Sequence, residues 1–431
     1  MDGLEVAILI ISFLTFLAIG VPVAWTLGLT ALLTLLTTMD GLVAAGTVAQ
    51  RMTTGLDSFS LLAIPFFILA GQLMNRGGLA GRLIDFAKAM VGPLPGGLAA
   101  VNVVAAMLFG AIAGSAAAAA SAIGGIMTKR MEDEGYPRSF SAAVNITSAT
   151  TGLVIPPSNI LIVYSLASGG VSIAALFLGG YLPGMLTGGL LIVAAAVYAR
   201  RKGYPSGDPW EGKTIMRTFW RALPSMLLLV VVIGGIVAGI FTATEASAVA
   251  VAYCLLLAFA YGEIGMKDLP AVFAESVNTT AIVLLLVSTS LAMSWVMSYE
   301  NLPQAITAGL LGLSDNFFVI LLLINVILLV VGIFMDMTPA VLIFTPIFLP
   351  VVTALGMDPV HFGIMMVLNL CIGLCTPPVG SVLFIGIGVA NIRLTQVLRP
   401  LLPLFLVMLL ALLLVTYVPG LSLWLPDLLL D

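Results

Sequence analysis

Thr150-Thr151-Gly152-Leu153-Val154-Ile155-Pro156-Pro157 and Cys371-Ile372-Gly373-Leu374-Cys375-Thr376-Pro377-Pro378 share Gly-Leu-x-x-Pro-Pro at an offset of 221 residues. Tandem prolines remove two amide donors, and their rings collide with carbonyls one turn earlier. A glycine four residues ahead tolerates the unwinding. Each stretch lies in the middle of a long apolar run, so a membrane helix is expected to break there. Broken backbone persists at that depth only where it lines a cavity or binds something. A pair of plain proline kinks is the competing reading, and the duplication counts against it.

Composition supplies the membrane. Of 431 residues, 61% are hydrophobic and 8% charged, against about 25% charged in soluble domains. Mean hydropathy is +1.19. Segments 4–38, 173–199, 222–240 and 316–335 are long enough to cross a ~30 Å hydrocarbon layer once or twice. No period-two alternation of the barrel type is present. The fold class expected is an all-α membrane protein. Met1-Asp2-Gly3-Leu4-Glu5 lacks the basic region of a signal peptide, so the first apolar segment is expected to be retained. Cys254, Cys371 and Cys375 lie in apolar segments without metal-ligand spacing and read as small core residues. His361 is the only histidine, which excludes a multi-histidine metal centre or relay. The net charge of −4 says nothing about partners in so apolar a chain, and no feature points to nucleic acid.

Expected spans are 4–20, 22–38, 60–75, 140–167, 173–199, 222–240, 244–262, 277–299, 361–391 and 400–418. Two hairpins, at 95–128 and 316–355, re-enter without crossing. With the N-terminus outside, fifteen basic residues from Arg76 to Arg399 fall inside and only Arg51 outside. That bias satisfies the positive-inside rule. Making either hairpin a full crossing would destroy it. A loop at 200–221, expected to be cytoplasmic, divides a first repeat (1–199) from a second (222–431). Each half holds five spans and one hairpin, so the second half is inverted relative to the first, as in inverted-repeat transporters.

The same offset relates Gly135 to Gly356 and the two hairpins to each other. Gly114-Ser115-Ala116-Ala117-Ala118 aligns with Met335-Asp336-Met337-Thr338-Pro339, and Ser115 and Asp336 each precede their Pro-Pro motif by 41 residues. Each hairpin tip is therefore expected to face the broken span of its own half. Free carbonyls and hydroxyls there are hard oxygen ligands suited to an alkali cation. The helix N-termini that follow, at Ser158-Asn159 and Gly380-Ser381, direct positive dipole ends toward an anion. Asp336 has two readings, an ion ligand or a buried cap of the next half-helix. The small-residue tip at 110–125 also reads as a packing face. Glu245 reads as a helix N-terminal acid, Glu275 and Glu300 as interfacial, and Arg82, Asp85 and Lys88 as the solvated side of a surface helix.

In order along the chain stand Leu62-Ala63-Ile64-Pro65-Phe66-Phe67-Ile68-Leu69-Ala70-Gly71, Gly114-Ser115-Ala116 and Ile155-Pro156-Pro157-Ser158. Phe241-Thr242-Ala243-Thr244-Glu245-Ala246, Asp336-Met337-Thr338-Pro339 and Thr376-Pro377-Pro378-Val379-Gly380 follow. Together they resemble the large membrane (permease) subunit of tripartite ATP-independent periplasmic (TRAP) transporters, of the C4-dicarboxylate and sialic acid type, over essentially the whole chain. The resemblance implies a multi-pass protein of the bacterial inner membrane, with an elevator mechanism and sodium ions as coupling ions but no cofactor. It also implies a small four-helix membrane subunit and a periplasmic binding protein that delivers a small organic acid. By the same resemblance one sodium lies near Ser115, Gly152 and Pro156. A second lies among Asp336, Thr338, Gly373, Thr376 and Pro377. Substrate would meet Ser158, Asn159, Gly380 and Ser381. Many relatives carry an Asp where this chain has Ala119, leaving neutral groups such as Ser121 to serve at the first site.

Two other transport readings remain: a stand-alone divalent-anion symporter with sodium, and a cation/proton antiporter of related architecture. An antiporter needs a titratable acid in its core, and Asp336 alone would have to serve. An enzyme is not expected, because an intramembrane hydrolase needs a nucleophile–base pair or two facing acids.

Overall fold

The computed structural model describes residues 3–94, 96–205, 210–314 and 316–430. Met1 and Asp2, residue 95 at the start of the expected first hairpin, and residues 206–209 of the expected loop lie outside the described residues. The first half contains α1 (Gly3–Ala18), α2 (Val23–Leu35), α3 (Gly41–Leu56), α4 (Ala63–Arg76) and α5 (Leu79–Val91). It continues with α6 (Gly97–Ala113), α7 (Ala116–Asp133), α8 (Arg138–Thr151), α9 (Asn159–Ala167) and α10 (Ile173–Lys202). The second half contains α11 (Gly212–Val237), α12 (Ala243–Ala260), α13 (Leu269–Tyr299), α14 (Leu302–Leu313) and α15 (Phe317–Phe334). It ends with α16 (Met337–Ala354), α17 (Pro359–Gly373), α18 (Ser381–Ala390), α19 (Leu394–Tyr417) and α20 (Gly420–Leu430). No strand occurs among the described residues, and eight helices are long and apolar enough to cross a membrane.

Helix starts repeat at the offset of the Pro-Pro motif: Ala116 and Met337 open α7 and α16, and Arg138 and Pro359 open α8 and α17. One difference between the halves has a local cause. α13 is a single helix of 31 residues, whereas its counterpart is split into α3 and α4. Asp57 ends α3 with ψ near 55°, and a 3-10 turn at Phe59–Leu62 re-aims the chain. The sequence reading placed no helix at α3, α14 or α20, which are short or carry polar residues, and began α13 eight residues late. Thr242 and Glu245 form a reciprocal capping box at the start of α12, the helix-terminal role expected of Glu245.

α6 and α7 form one helical hairpin, α15 and α16 the other, and their bases lie at opposite ends of the molecule. At the first base Arg130 pairs with Asp85 at 3.4 Å, Lys88 with Glu134 at 3.2 Å, and the Tyr136 hydroxyl donates to the Pro205 carbonyl. Arg138 there hydrogen-bonds Glu132 and holds its carboxyl below the usual range. Near the second base the Tyr417 hydroxyl donates to the Phe318 carbonyl and the Tyr164 hydroxyl to that of Pro359. Tyr164 ends the broken span that Arg138 begins, so the two bases face opposite sides.

Each hairpin crosses its broken span through glycine. A Cβ on Gly152 would lie 2.5 Å from the Gly110 Cα, and one on Gly373 would lie 2.6 Å from the Gly332 Cα. The broken spans also meet each other, since the Cys371 thiol donates to the Thr150 carbonyl at 3.3 Å. Thr150 and Cys371 are repeat equivalents, so the pseudo-twofold axis passes between them. All three cysteines are buried. Around this centre α6–α10 pack with α15–α20, while α1–α4 pack with α11–α13. Contact between the two sets runs mainly through α4 and α13 against α6, α9 and α16.

Gly152→Ala should destabilise the chain by about 2 kcal/mol through overpacking, read as a lower melting temperature in detergent. Gly46→Ala on α3, where a Cβ meets nothing within 4 Å, should leave it unchanged or slightly higher.

Candidate functional site

A cavity of about 440 Å³ lies where both hairpin tips meet both helix breaks. The first tip contributes Gly114–Ala118 and the second Asp336–Thr338. The breaks contribute Leu153, Asn159, Leu374 and Ser381, and α4 and α13 close the remaining side. α7, α9, α16 and α18 begin at Ala116, Asn159, Met337 and Ser381. Residues 116, 159, 337 and 381 all line the cavity, so four helix N-termini converge on it. Each terminus presents unpaired amides and a partial positive charge. Among the described residues the lining contains no Lys or Arg, and Asp336 is its only charged residue. The chamber can therefore attract an anion without a formal cation.

The repeat-equivalent tip residues behave differently. Ser115 caps α7, its hydroxyl accepting from the Ala118 amide at 3.2 Å. Asp336 holds the N-cap position of α16 but makes no side-chain capping bond, which leaves its carboxylate exposed to the cavity. Of its two sequence readings, the capping one receives no bond here. Thr338 lines the cavity one residue into α16.

The breaks also differ in how they use their carbonyls. Prolines 156 and 157 deprive the Gly152 and Leu153 carbonyls of their helical donors. The Ser158 hydroxyl donates to Leu153 at 2.5 Å, but among the described residues no hydrogen bond reaches Gly152. In the second half the Thr376 amide donates to Gly373 at 2.9 Å and the Leu383 amide to Leu374 at 3.3 Å. The Thr376 hydroxyl donates to Ile372 and keeps lone pairs free to accept.

Of the residues singled out by sequence, Ser115, Asn159, Asp336, Thr338 and Ser381 line the cavity together. Gly152, Pro156, Gly373, Thr376 and Pro377 stand behind it, in the breaks. Ser158 and Gly380, expected to meet substrate, are buried and shape the breaks instead. The Ser158 hydroxyl is spent on Leu153, and a Cβ on Gly380 would lie 2.5 Å from the Leu374 carbonyl. Ala119 is fully buried in α7, and Ser121 is exposed away from the cavity lining. Neither supplies a polar group to this site.

Gln72 and Asn75 on α4 and Thr279 on α13 also line the cavity, and the sequence reading missed them. Two amides three residues apart inside an apolar run were the available signal. Buried asparagines tie the broken spans to the hairpins: Asn145 donates to the Ala120 carbonyl at 2.9 Å, and Asn369 to Asn325 Oδ1 at 2.7 Å.

Ala117 is exposed to the cavity. Ala117→Phe should abolish substrate transport while leaving the melting temperature unchanged, because the new ring occupies empty volume. A parallel loss of both would show the ring entering packed protein instead.

Residues 10–421 match the family described as tripartite ATP-independent periplasmic transporter, DctM component. An uncharacterized protein, YgiK of Salmonella typhimurium, is 54% identical over 97% of this chain and 96% of its own length. The C4-dicarboxylate TRAP transporter large permease protein DctM of Rhodobacter capsulatus is 40% identical over 95% and 96%. Among solved structures, the Alcanivorax borkumensis YdaH transporter superposes with a TM-score of 0.67 at 15% identity, covering 88% of this chain and 89% of its own. That likeness is one of fold.

Proposed function

The chain belongs to the DctM component family of tripartite ATP-independent periplasmic transporters, as a multi-pass inner-membrane permease and not an enzyme, and from that premise we propose that it performs sodium-coupled uptake of a small organic carboxylate. The observation that carries this reading is the convergence of four helix N-termini on a cavity without basic side chains among the described residues. A carboxylate is held there by amides and dipole ends, while Gln72, Asn75 and Thr279 offer hydrogen bonds to its other polar groups. Neutral donors bind an anion less tenaciously than a buried guanidinium would, which suits a carrier that must also release its cargo.

Sodium enters on each side of this cavity. At the first site the unbonded Gly152 carbonyl and the Ser115 hydroxyl are hard oxygen donors beside Pro156. At the second, Asp336, Thr338 and Thr376 supply a carboxylate and two hydroxyls around the Gly373–Pro377 break. Hard cations take oxygen ligands of these types. A cation at Asp336 neutralises the one charge that would repel an incoming carboxylate, and this couples the two cargoes electrostatically. α6–α10 and α15–α20 move as the carrying unit against α4 and α13, in the manner of an elevator. A small four-helix subunit covers the membrane flank, and a periplasmic binding protein delivers the substrate. The C4-dicarboxylate relative places dicarboxylates first among the acids to try.

Proteoliposomes holding this chain and its small partner subunit should take up the cognate acid only with an inward sodium gradient and the binding protein. Asp336→Ala and Thr376→Ala should each lower sodium-driven uptake while the chain still inserts. Uptake without the binding protein would identify a stand-alone symporter. Sodium-independent uptake, or unchanged sodium titrations in both variants, would remove the proposed ion sites.

A further inference from the structure

A second cavity, of about 670 Å³, opens at the basic end of the molecule and shares no lining residue with the central site. Its walls come from α5, the segment before α6 and its first turn, Glu134 and the start of α11 through its third turn. Three acids and three bases line it: Asp85, Glu134, Glu211, Lys88, Arg217 and Arg221. Two of the three acids are already in ion pairs. Asp85 pairs with Arg130, Glu134 pairs with Lys88, and Glu211 accepts from the Thr214 hydroxyl. Arg217 and Arg221 stand one helical turn apart on α11, and among the described residues neither belongs to an ion pair.

The surroundings give the cavity a lipid side. The Trp210 indole donates to the Met90 carbonyl at 2.9 Å and fastens the start of α11 to the end of α5. Met216 and Trp220, adjacent to the two arginines in sequence, are 58% and 62% exposed. Exposed tryptophan at the end of a spanning helix marks the headgroup level. One helix end therefore shows two free guanidinium groups to a cavity and apolar side chains beside them.

We propose that this cavity is a phosphate-binding site occupied by the headgroup of an anionic phospholipid from the cytoplasmic leaflet. Guanidinium groups bind phosphate oxygens through paired hydrogen bonds. Basic pockets between helices on the cytoplasmic side are suited to anionic headgroups, and the acyl chains would lie along Met216 and Trp220. α5 connects α4 to the first hairpin, so the lipid sits where the two sets of helices are joined.

The test is native mass spectrometry of the full-length chain in detergent, titrated with phosphatidylglycerol, phosphatidylcholine or glycerol phosphate. Phosphatidylglycerol should bind more tightly than phosphatidylcholine. The pair Arg217→Gln and Arg221→Gln should weaken it by roughly 30-fold. Removing the same charge from the same face elsewhere, by Arg200→Gln and Arg201→Gln, should leave it unchanged. The charge-keeping pair Arg217→Lys and Arg221→Lys, which guards against a folding defect in the glutamine pair, should bind at an intermediate strength. Equal binding by wild type and the glutamine pair would overturn the site. Equal loss in the Arg200 and Arg201 pair would reduce it to diffuse charge attraction and overturn it as well. Displacement of the lipid by glycerol phosphate at similar concentrations would overturn the lipid as occupant and assign the cavity to soluble phosphates.

Discussion

The crossing of backbone on backbone at Gly110 with Gly152, and at Gly332 with Gly373, governs the centre of this molecule. Helices separated by ordinary side chains lie about 8–10 Å apart, further than glycine pairs permit. Only at the shorter distance does each hairpin reach the break of its own span. The tips then end where the following half-helices begin, and four N-termini share one chamber. A methyl group at Gly152 or Gly373 would meet main-chain atoms rather than movable side chains, so the arrangement cannot relax around it cheaply.

From that arrangement follows an electrostatic device that uses almost no charge. A buried Lys or Arg would impose a desolvation cost and hold an anion strongly. Helix termini carry their partial charges already oriented, with no side chain to order. The only formal charge among the described lining residues, Asp336, is of the wrong sign for a carboxylate cargo, and that makes a coupling cation chemically useful there. Its repeat equivalent, Ser115, is neutral and also caps α7. The duplicated scaffold is therefore symmetric in backbone and asymmetric in chemistry, with an unbonded carbonyl on one side and an uncapped carboxylate on the other.

The basic end of the molecule shows a different kind of organisation. Ion pairs such as Arg76 with Glu275 at 2.6 Å, and Arg138 with Glu132 at 2.7 Å, knit neighbouring helices at the surface. Exposed pairs of this kind contribute little to stability. Two others, Arg130 with Asp85 and Lys88 with Glu134, take up acids of the second cavity, and among the described residues Arg217 and Arg221 there belong to no ion pair.

Sequence by itself determined the membrane class, the orientation bias and the duplicated helix break, because hydropathy, charge placement and Pro-Pro chemistry are local properties. It also singled out Ser115, Asn159, Asp336, Thr338 and Ser381, which line the central cavity, since each stands at or beside a helix start that the repeat offset marks. Only tertiary structure separated these from Ser158 and Gly380, because a hydroxyl's direction and a turn's tightness depend on which carbonyl lies opposite. Gln72, Asn75 and Thr279 were hidden for the same reason: they come from helices distant in sequence, and only packing turns them toward the cavity. The split of one helix into α3 and α4 lies in a short break at Asp57–Leu62, whose backbone angles no hydropathy pattern encodes.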